Sequence, residues 1–375
     1  MNQNADRSSC PVADIISNFS IQGEVGEGEP YGSGHINETY YVKNMHPGYG
    51  DYLLQRINHH VFKDIPSLIE NIRIVTGHLR RKLDMIPGAE IHKEVLTLVP
   101  TREGRFYYHD PKGNYWRMYH FLHTNRYDVV QTEQQAYEGG KAFGKFQALL
   151  SDLDAGLLVE TIPHFHNIGM RLKRFNEAVS ADTTDRVKKV TAEIAFVNER
   201  ADAMKALLEP RNGHVLPVRI IHNDTKFNNV LLDGNDHAQC VIDLDTVMPG
   251  YVAYDFGDAI RTIINTASED EEDISKIKLN IPLFTAYTKG YFEEAGHFLT
   301  RPEVESLLRG ILLIPYEQTV RFLTDYIEGD TYYKIHFPDH NLQRTRAQLQ
   351  LLRKMEEKYE TLRKIVQDVA ATLKH

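Results

Sequence analysis

Two stretches of this chain carry chemistry-bearing side chains at short, fixed spacing: IIHNDTKFNNVLLD, Ile220 to Asp233, and VIDLDTV, Val241 to Val247. The first supplies His222, Asp224, Lys226 and Asn229, and the second supplies Asp243. Such a set suits phosphoryl transfer, which asks a protein mainly to hold an acceptor hydroxyl in line with the transferred phosphate and to neutralise developing charge. Asp224 is then the base that orients the hydroxyl and takes its proton. Asn229 offers a neutral oxygen and Asp243 a charged one, a pairing that suits Mg²⁺ with its oxygen ligands and retained waters. Lys226 reaches a phosphate oxygen, and His222 braces the loop by hydrogen bonding.

A bare H-x-D triplet is common, and Asn, Asp, Thr and Lys are ordinary turn residues. The flanks give this one its context. Val218 to Ile221, Val230 to Leu232 and Cys240 to Ile242 are short β-type runs on either side of the polar residues. Order and spacing together are those of a kinase catalytic loop followed by its metal-holding aspartate.

These elements must be positioned by a larger frame. At 375 residues, 42% hydrophobic and 25% charged, the chain has the composition of a globular protein with room for two lobes. A net charge of −9 supplies no basic face for nucleic acid. No run approaches the ~18 apolar residues of a membrane span, and no leader pattern opens the chain, so no membrane partner and a cytoplasmic location are expected. Cys10 and Cys240 suggest neither a disulfide framework nor a zinc site. The pairs His59/His60 and His164/His166 read as surface or packing histidines.

The first third is β-rich. Strands are expected at Tyr40 to Val42, Tyr52 to Ile57, Val95 to Val99, Arg105 to His109 and Tyr115 to Phe121, the last two joined by a DPKGN turn. Leu68, Ile72, Val75, Leu79 and Leu83 space a helix from Ile65 to Leu83. Beyond Leu122 helices dominate: Glu133 to Ser151, Phe165 to Ala181, Asp185 to Leu208, Ile274 to Ala295, Arg301 to Tyr326 and Leu342 to Leu373. The expected fold is α+β and protein-kinase-like: a small β-rich lobe over residues 1–122 that binds nucleotide, and a larger, mainly helical catalytic and acceptor-binding lobe over 123–375. Between them, backbone near Tyr119 and Phe121 would meet adenine.

In GEGEPYGSGHINETYYV, glycines allow a loop to approach phosphates closely, with Ser33, Gly34 and His35 near phosphates or acceptor and Asn37 pinning the turn. The spacing misses G-x-G-x-x-G, and no G-x-x-x-x-G-K-[ST] occurs, which excludes an ordinary P-loop kinase. The third-strand cation expected of such a lobe is Arg56, with Glu70 as its natural partner and Lys43 as a competitor.

Taken together, GSGHINETY, LQRIN, HNDTKFNNVL, IDLDTVMPG, YDFGDAIR and RFLTDYIEGD resemble the aminoglycoside phosphotransferase and choline kinase group, and within it the N-acetylhexosamine 1-kinases. The resemblance runs from about Gly32 to His340. It implies ATP-dependent phosphorylation of the anomeric hydroxyl of free GlcNAc or GalNAc. It makes Asp224 the base and Asn229 and Asp243 the magnesium ligands, with Asp245 supporting them or taking a second ion. Asp255 and Asp258 would anchor the catalytic loop or cap the helix that begins there. His35, Arg321 and Tyr332 would meet the sugar. Arg56 departs from the lysine usual in the wider group, which leaves the α-phosphate contact open. Two other readings stay in view: the same fold with another acceptor, such as an aminoglycoside, choline, homoserine or another sugar, and a catalytically dead binding module. The acidic run Glu269 to Asp273, otherwise a solvated loop, is the one local cluster that a cationic acceptor could use. Oligomeric state is left open by the sequence.

Overall fold

The structure is a computed structural model that describes residues 12–32, 36–209 and 215–372. The chain divides into two compact units, Met1–Thr124 with Leu157–Ile162, and Asn125–Gly156 with Pro163–His375.

In the first unit, α1 (Val12–Ile16) precedes β1 (Glu29–Pro30), β2 (Glu38–Val42) and β3 (Tyr52–Ile57); α2 (Ile65–Asp84) and the short α3 (Ile91–Glu94) lead to β4 (Leu98–Val99), β5 (Tyr108–His109) and β6 (Tyr115–His120). The sheet order is β1-β2-β3-β6-β4, with β5 also on β6. Strand alternation puts Tyr52 and Leu54 on one face, where they meet Trp116 and Met118 from β6, Val42, Val99 and the apolar side of α1. Asp110 closes the β5–β6 turn by accepting the Lys112 and Asn114 N–H groups at 2.8 and 2.9 Å and the Trp116 indole at 2.8 Å. Helix α2 begins where Asp64 accepts the Ser67 N–H, carries Pro66 in its first turn, and buries the expected stripe. The returning segment Leu157–Ile162 is held by Asn71, whose amide exchanges bonds of 2.8 and 3.1 Å with the Val159 backbone.

In the second unit, α4 (Glu133–Leu149), α5 (Ile168–Ala181) and α6 (Thr191–Lys205) precede β7 (Arg219–Ile221), β8 (Val230–Leu232), β9 (Ala238–Val241) and β10 (Met248–Gly250). Then come α7 (Val252–Ile263), α8 (Ile281–Ala295), α9 (Arg301–Ile327), α10 (His340–Glu357) and α11 (Tyr359–Thr372). β7 pairs antiparallel with β10, and β8 with β9. Phe143, Phe227, Phe256, Phe284, Tyr287 and Tyr291 fill the core beneath them. Among the described residues no helix is long and apolar enough to cross a membrane.

Several expected boundaries shift. The strand expected over Val95 to Val99 is only Leu98–Val99, preceded by a helical turn, and that over Arg105 to His109 shrinks to Tyr108–His109. Ile274 to Ala295 is broken: Asn265 bridges to Leu279, and the helix starts afresh where Asn280 accepts the Leu283 N–H next to Pro282. Leu342 to Leu373 is two helices parting at Lys358, because α10 packs on α9 while Leu362, Val366 and Val369 of α11 join the core containing α8.

Helix α7 lies hard against α9. A Cβ on Gly257 would stand 2.3 Å from the Gly310 carbonyl oxygen, and one on Gly310 would stand 1.9 Å from that of Ala253. Both neighbours are backbone and cannot swing aside. Gly310→Ala is therefore expected to destabilise the protein by about 1–3 kcal/mol through overpacking, read as a lowered thermal denaturation midpoint; an unchanged midpoint would contradict this account of the crossing.

Candidate active site

The loop after β7 is built by helix α7. Asp255, buried, accepts the backbone N–H of His222 at 2.8 Å and of Asn223 at 2.7 Å, and also the Gln147 amide at 2.7 Å. Asn223 takes a left-handed conformation (φ 66°), which asparagine tolerates better than most residues. Thr225 is held twice, by its N–H to Asp258 at 2.9 Å and by its hydroxyl to the Asp255 carbonyl at 2.6 Å. Burial pushes the Asp255 carboxyl above its ordinary range, against the opposing effect of His222 and the three donors. The sequence suggests this anchoring for Asp255 and Asp258; it gives no sign of Gln147, which lies more than 100 positions away in α4 and is itself fixed by Tyr291 at 2.5 Å.

His222 braces the loop from inside. It is fully buried, with Nε2 at 2.8 Å from the Ile242 carbonyl, and its own carbonyl accepts the Thr246 hydroxyl at 2.7 Å. Asp224 is left facing outward at the loop's apex. Lys226 Nζ lies 3.1 Å from its Oδ1, and Asn229 Nδ2 donates to its carbonyl at 2.8 Å and to Oδ2 at 3.2 Å. Burial works against the charge on Asp224, yet Lys226, His222 and Asn229 together hold its carboxyl below the usual carboxylate range. In turn the Asp224 carboxylate raises Lys226 well above an ordinary lysine. The pair is an ionised base beside an ionised lysine at neutral pH.

The other oxygen donors arrive through β8 and β9. Ile242 donates its N–H to the Asn229 carbonyl at 2.9 Å, which sets Asp243 beside the end of the catalytic loop. Asp243 is left-handed (φ 60°), and Asp245, two residues on, is buried. The Asn229 amide nitrogen donates to Asp224, which leaves Oδ1, among the described residues, as the end available to a cation. One carboxamide oxygen and one or two carboxylates fit Mg²⁺, which keeps waters rather than taking an all-protein cage. Among the described residues no group of three or more His, Cys, Asp or Glu gathers as a denser metal site.

In the first unit the expected Arg56–Glu70 pair is not formed. Arg56 and Glu38 stand directly opposite in the β2–β3 register and pair there, while Glu70 is held by Arg73 one turn along α2, at 2.6 Å. Alternation also puts Arg56 on the Tyr52 and Leu54 face; the opposite face carries Gln55 bonded to the fully buried Arg117 at 2.9 Å. Asn37 accepts the Asn58 N–H at 3.0 Å, which ties the start of β2 to the end of β3. Tyr119 is buried. Phe121 packs among Tyr31, Tyr41 and His123, and its N–H already donates to the Asp51 carbonyl. What Phe121 can offer a nucleotide is its ring and its carbonyl rather than its N–H. Ser33, Gly34 and His35 lie outside the described residues.

Arg321 and Tyr332 come together in the second unit, at a small pocket of about 30 Å³ open to solvent, lined also by Arg171, Arg174, Asp325, Glu328 and Tyr333. Asp325 builds one wall by accepting the N–H groups of Thr331, Tyr332 and Tyr333 at 2.9, 2.7 and 2.9 Å. Arg321 lies over Phe165 at 5.2 Å and Tyr333 at 5.6 Å. Behind it, the fully buried Glu317 sits 3.1 Å from His166 Nδ1 and 3.9 Å from Arg171 Nε. His166 is thus a packing histidine, one of the two expected readings. Its ring packs against that of Tyr254 at 4.7 Å, and the chain neighbour of Tyr254, Asp255, holds the catalytic loop. The acidic run is not simply solvated: Glu269 is bonded to Arg261 at 2.6 Å, Arg261 to Asp258, and Asp270 to the buried His340 at 3.0 Å. The His166–Glu317 and His340–Asp270 partners are distant in sequence, and no local pattern announces them.

An outward carboxylate beside a lysine, set on a loop that a following helix grips by two aspartates, defines a kinase-like phosphotransferase. The phosphotransferase enzyme family matches residues 27–291. Solved structures share the fold: an aminoglycoside phosphotransferase from Alicyclobacillus acidocaldarius (TM-score 0.63, 14% identity, 97% of this chain and 99% of that one); a microcompartment-associated aminopropanol kinase (0.61, 16%, 93% and 97%); and a spectinomycin phosphotransferase in complex with ADP and spectinomycin (0.55, 13%, 96% and 97%). The chain belongs to the phosphotransferase enzyme family. Its fold is the mixed α+β, kinase-like one with a small sheet lobe and a larger helical lobe.

Lys226→Met removes the main charge that keeps Asp224 ionised and leaves burial to act. Because the Asp224 pKa then rises, the acid limb of the kcat/KM profile should move to higher pH. A profile whose acid limb stays in place would contradict the coupling.

Proposed function

We propose that this protein uses ATP and Mg²⁺ to phosphorylate the anomeric hydroxyl of free N-acetylhexosamines, giving the sugar 1-phosphate. Asp224 accepts the hydroxyl proton as the oxygen attacks the γ-phosphorus, and Lys226 neutralises charge on the transferred group. Asn229 and Asp243, with Asp245 behind or beside them, are the side chains that would hold the metal, whose contribution is to neutralise the phosphates. His222 keeps the loop in shape. Ser33 and Gly34 are assigned to the phosphates, the ring of Phe121 with Tyr119 to adenine, and Arg56 and Glu70 to the nucleotide lobe without pairing with each other. His35, Arg321 and Tyr332 are assigned to the sugar.

The observation that supports the choice of acceptor is that the carboxylates around the Arg321 pocket are already hydrogen-bonded within the protein. Each carboxylate around it is already engaged: Glu328 by Arg174 at 2.6 Å, Glu317 by His166, and Asp325 by three backbone N–H groups and Asn341 at 2.8 Å. Glu269 and Asp270 are likewise spent on Arg261 and His340. An amine acceptor would have to compete for one of these oxygens. A neutral sugar bearing an amide instead finds guanidinium donors for its carbonyl and aromatic walls at Tyr332 and Tyr333.

The test is Mg²⁺-dependent ADP release from ATP with GlcNAc, GalNAc, glucose, galactose, choline, homoserine and kanamycin as acceptors. Turnover confined to the two N-acetylhexosamines, with phosphate on C1 by ³¹P NMR, is expected; turnover with choline, homoserine or kanamycin alone would overturn the sugar assignment.

A further inference from the structure

The charges around the Arg321 pocket balance: Arg171, Arg174 and Arg321 stand against Asp325 and Glu328 in its lining and Glu317 behind it. Net charge therefore gives little selection there, and the direction in which the donors point has to supply it. Arg321 is fixed by rings. Its guanidinium carbon lies 5.2 Å from the centre of the Phe165 ring and 5.6 Å from that of Tyr333, both within cation–π range. Tyr333 is held in turn by Asp325, which accepts its N–H at 2.9 Å. Phe165 stands between two fastenings of the backbone. Before it, His164 is left-handed (φ 58°) and its carbonyl accepts the Asn167 N–H at 3.1 Å; after it, the Asn167 side chain caps α5 by accepting the Met170 N–H at 3.0 Å. The dipeptide so held reaches three charged groups at once. The Phe165 ring meets Arg321, the Phe165 carbonyl accepts Arg171 Nη2 at 2.7 Å, and His166 Nδ1 lies 3.3 and 3.1 Å from the two oxygens of Glu317. The two rings of the dipeptide also pack edge to face, with centres 4.6 Å apart, so neither can turn alone.

We propose that Phe165 is a positioning residue for acceptor recognition: its ring holds the Arg321 guanidinium in the orientation that meets the acceptor, and its carbonyl holds Arg171 beside it. The inference rests on the reading of the Arg321 pocket as the acceptor site. Phe165 does not line that pocket, whereas Arg321 does, so Phe165 acts through the arginine. A guanidinium donates only in its own plane, and an aromatic face set against it limits the planes it can take. Without the ring, Arg321 keeps its charge but spreads over more rotamers. Ordering it then falls to the acceptor and weakens binding.

The experiment is a double-mutant cycle on Phe165→Leu and Arg321→Met, with Phe165→Tyr as the conservative variant, read as the KM values for GlcNAc and for ATP. Phe165→Leu keeps an apolar side chain at a half-buried position and removes the aromatic face. It should raise the KM for GlcNAc about tenfold, the scale of a lost cation–π contact and a freed arginine, and leave the KM for ATP in place. Phe165→Tyr retains the ring and should behave like wild type. In the Arg321→Met background there is no guanidinium to orient, so Phe165→Leu should add nothing further. Loss of packing alone would cost the same in both backgrounds. A KM rise that persists in Arg321→Met, a Phe165→Tyr variant as impaired as Phe165→Leu, or a Phe165→Leu variant with the wild-type KM each overturns the proposal. The same cycle read on thermal midpoints needs no acceptor. A double variant that loses less than the sum of the two single losses supports the hold of Phe165 on Arg321, and additive losses reject it. Should wild type phosphorylate neither GlcNAc nor GalNAc, the sugar assignment falls, and the thermal cycle still rules on whether Phe165 positions Arg321.

Discussion

The buried carboxylate of Asp255 is the constraint on which the catalytic loop depends. A loop leaving β7 has backbone N–H groups that the sheet no longer satisfies, and an unpaired buried N–H costs about as much as a lost hydrogen bond. Asp255 takes two of them, at His222 and Asn223, and Asp258 takes a third at Thr225. Three N–H groups between His222 and Thr225 are thereby fixed from one helix, and Asp224 is the side chain among them that helix α7 does not hold. The arrangement is expensive, since a carboxyl is held in the interior against its preference for water. Gln147 and its Tyr291 partner complete the donors around it. Helix α7 can serve as this base only because Gly257 and Gly310 let it lie directly on α9.

A second constraint follows from the first. With its backbone immobilised, the loop carries its charges in fixed relation: Asp224 against Lys226 at 3.1 Å, Asn229 against Asp224, and Arg261 joining Asp258 to Glu269. The pairing keeps the base ionised and the lysine charged, so both begin in the protonation state that phosphoryl transfer requires. On the far side of α7, Tyr254 packs on His166 and through it on Glu317. The helix that shapes the base is therefore also linked, through His166, to the buried Glu317 behind the Arg321 pocket.

How much of this was legible in the sequence follows from distance along the chain. The motif residues His222 to Asn229 and Asp243 are local, flanked by β-type runs, and they led directly to a kinase-like α+β fold. Asp255 and Asp258 stand in a short acidic string at a helix start, and their anchoring role could be named from it. Gln147, Arg171, His166 and Glu317 could not, because each matters through a partner more than 70 residues away and carries no local spacing. Periodicity failed in a different way, by overrunning interruptions. It joined α10 to α11 across Lys358, and it passed over the Asn280 and Pro282 start signal of α8. Arg56 was matched to the wrong carboxylate because helix spacing says nothing of strand register, and register is what sets Glu38 opposite it.

The central claim is that Asp224, held out by α7 and ionised beside Lys226, removes the proton from the acceptor hydroxyl. Asp224→Asn keeps the size and most hydrogen bonds of the side chain while removing the base, so calorimetry with Mg²⁺ and ADP alongside turnover separates its two possible duties. The account predicts nucleotide affinity close to wild type and a fall in kcat of about 10²–10⁴-fold. Wild-type turnover in that variant would contradict it.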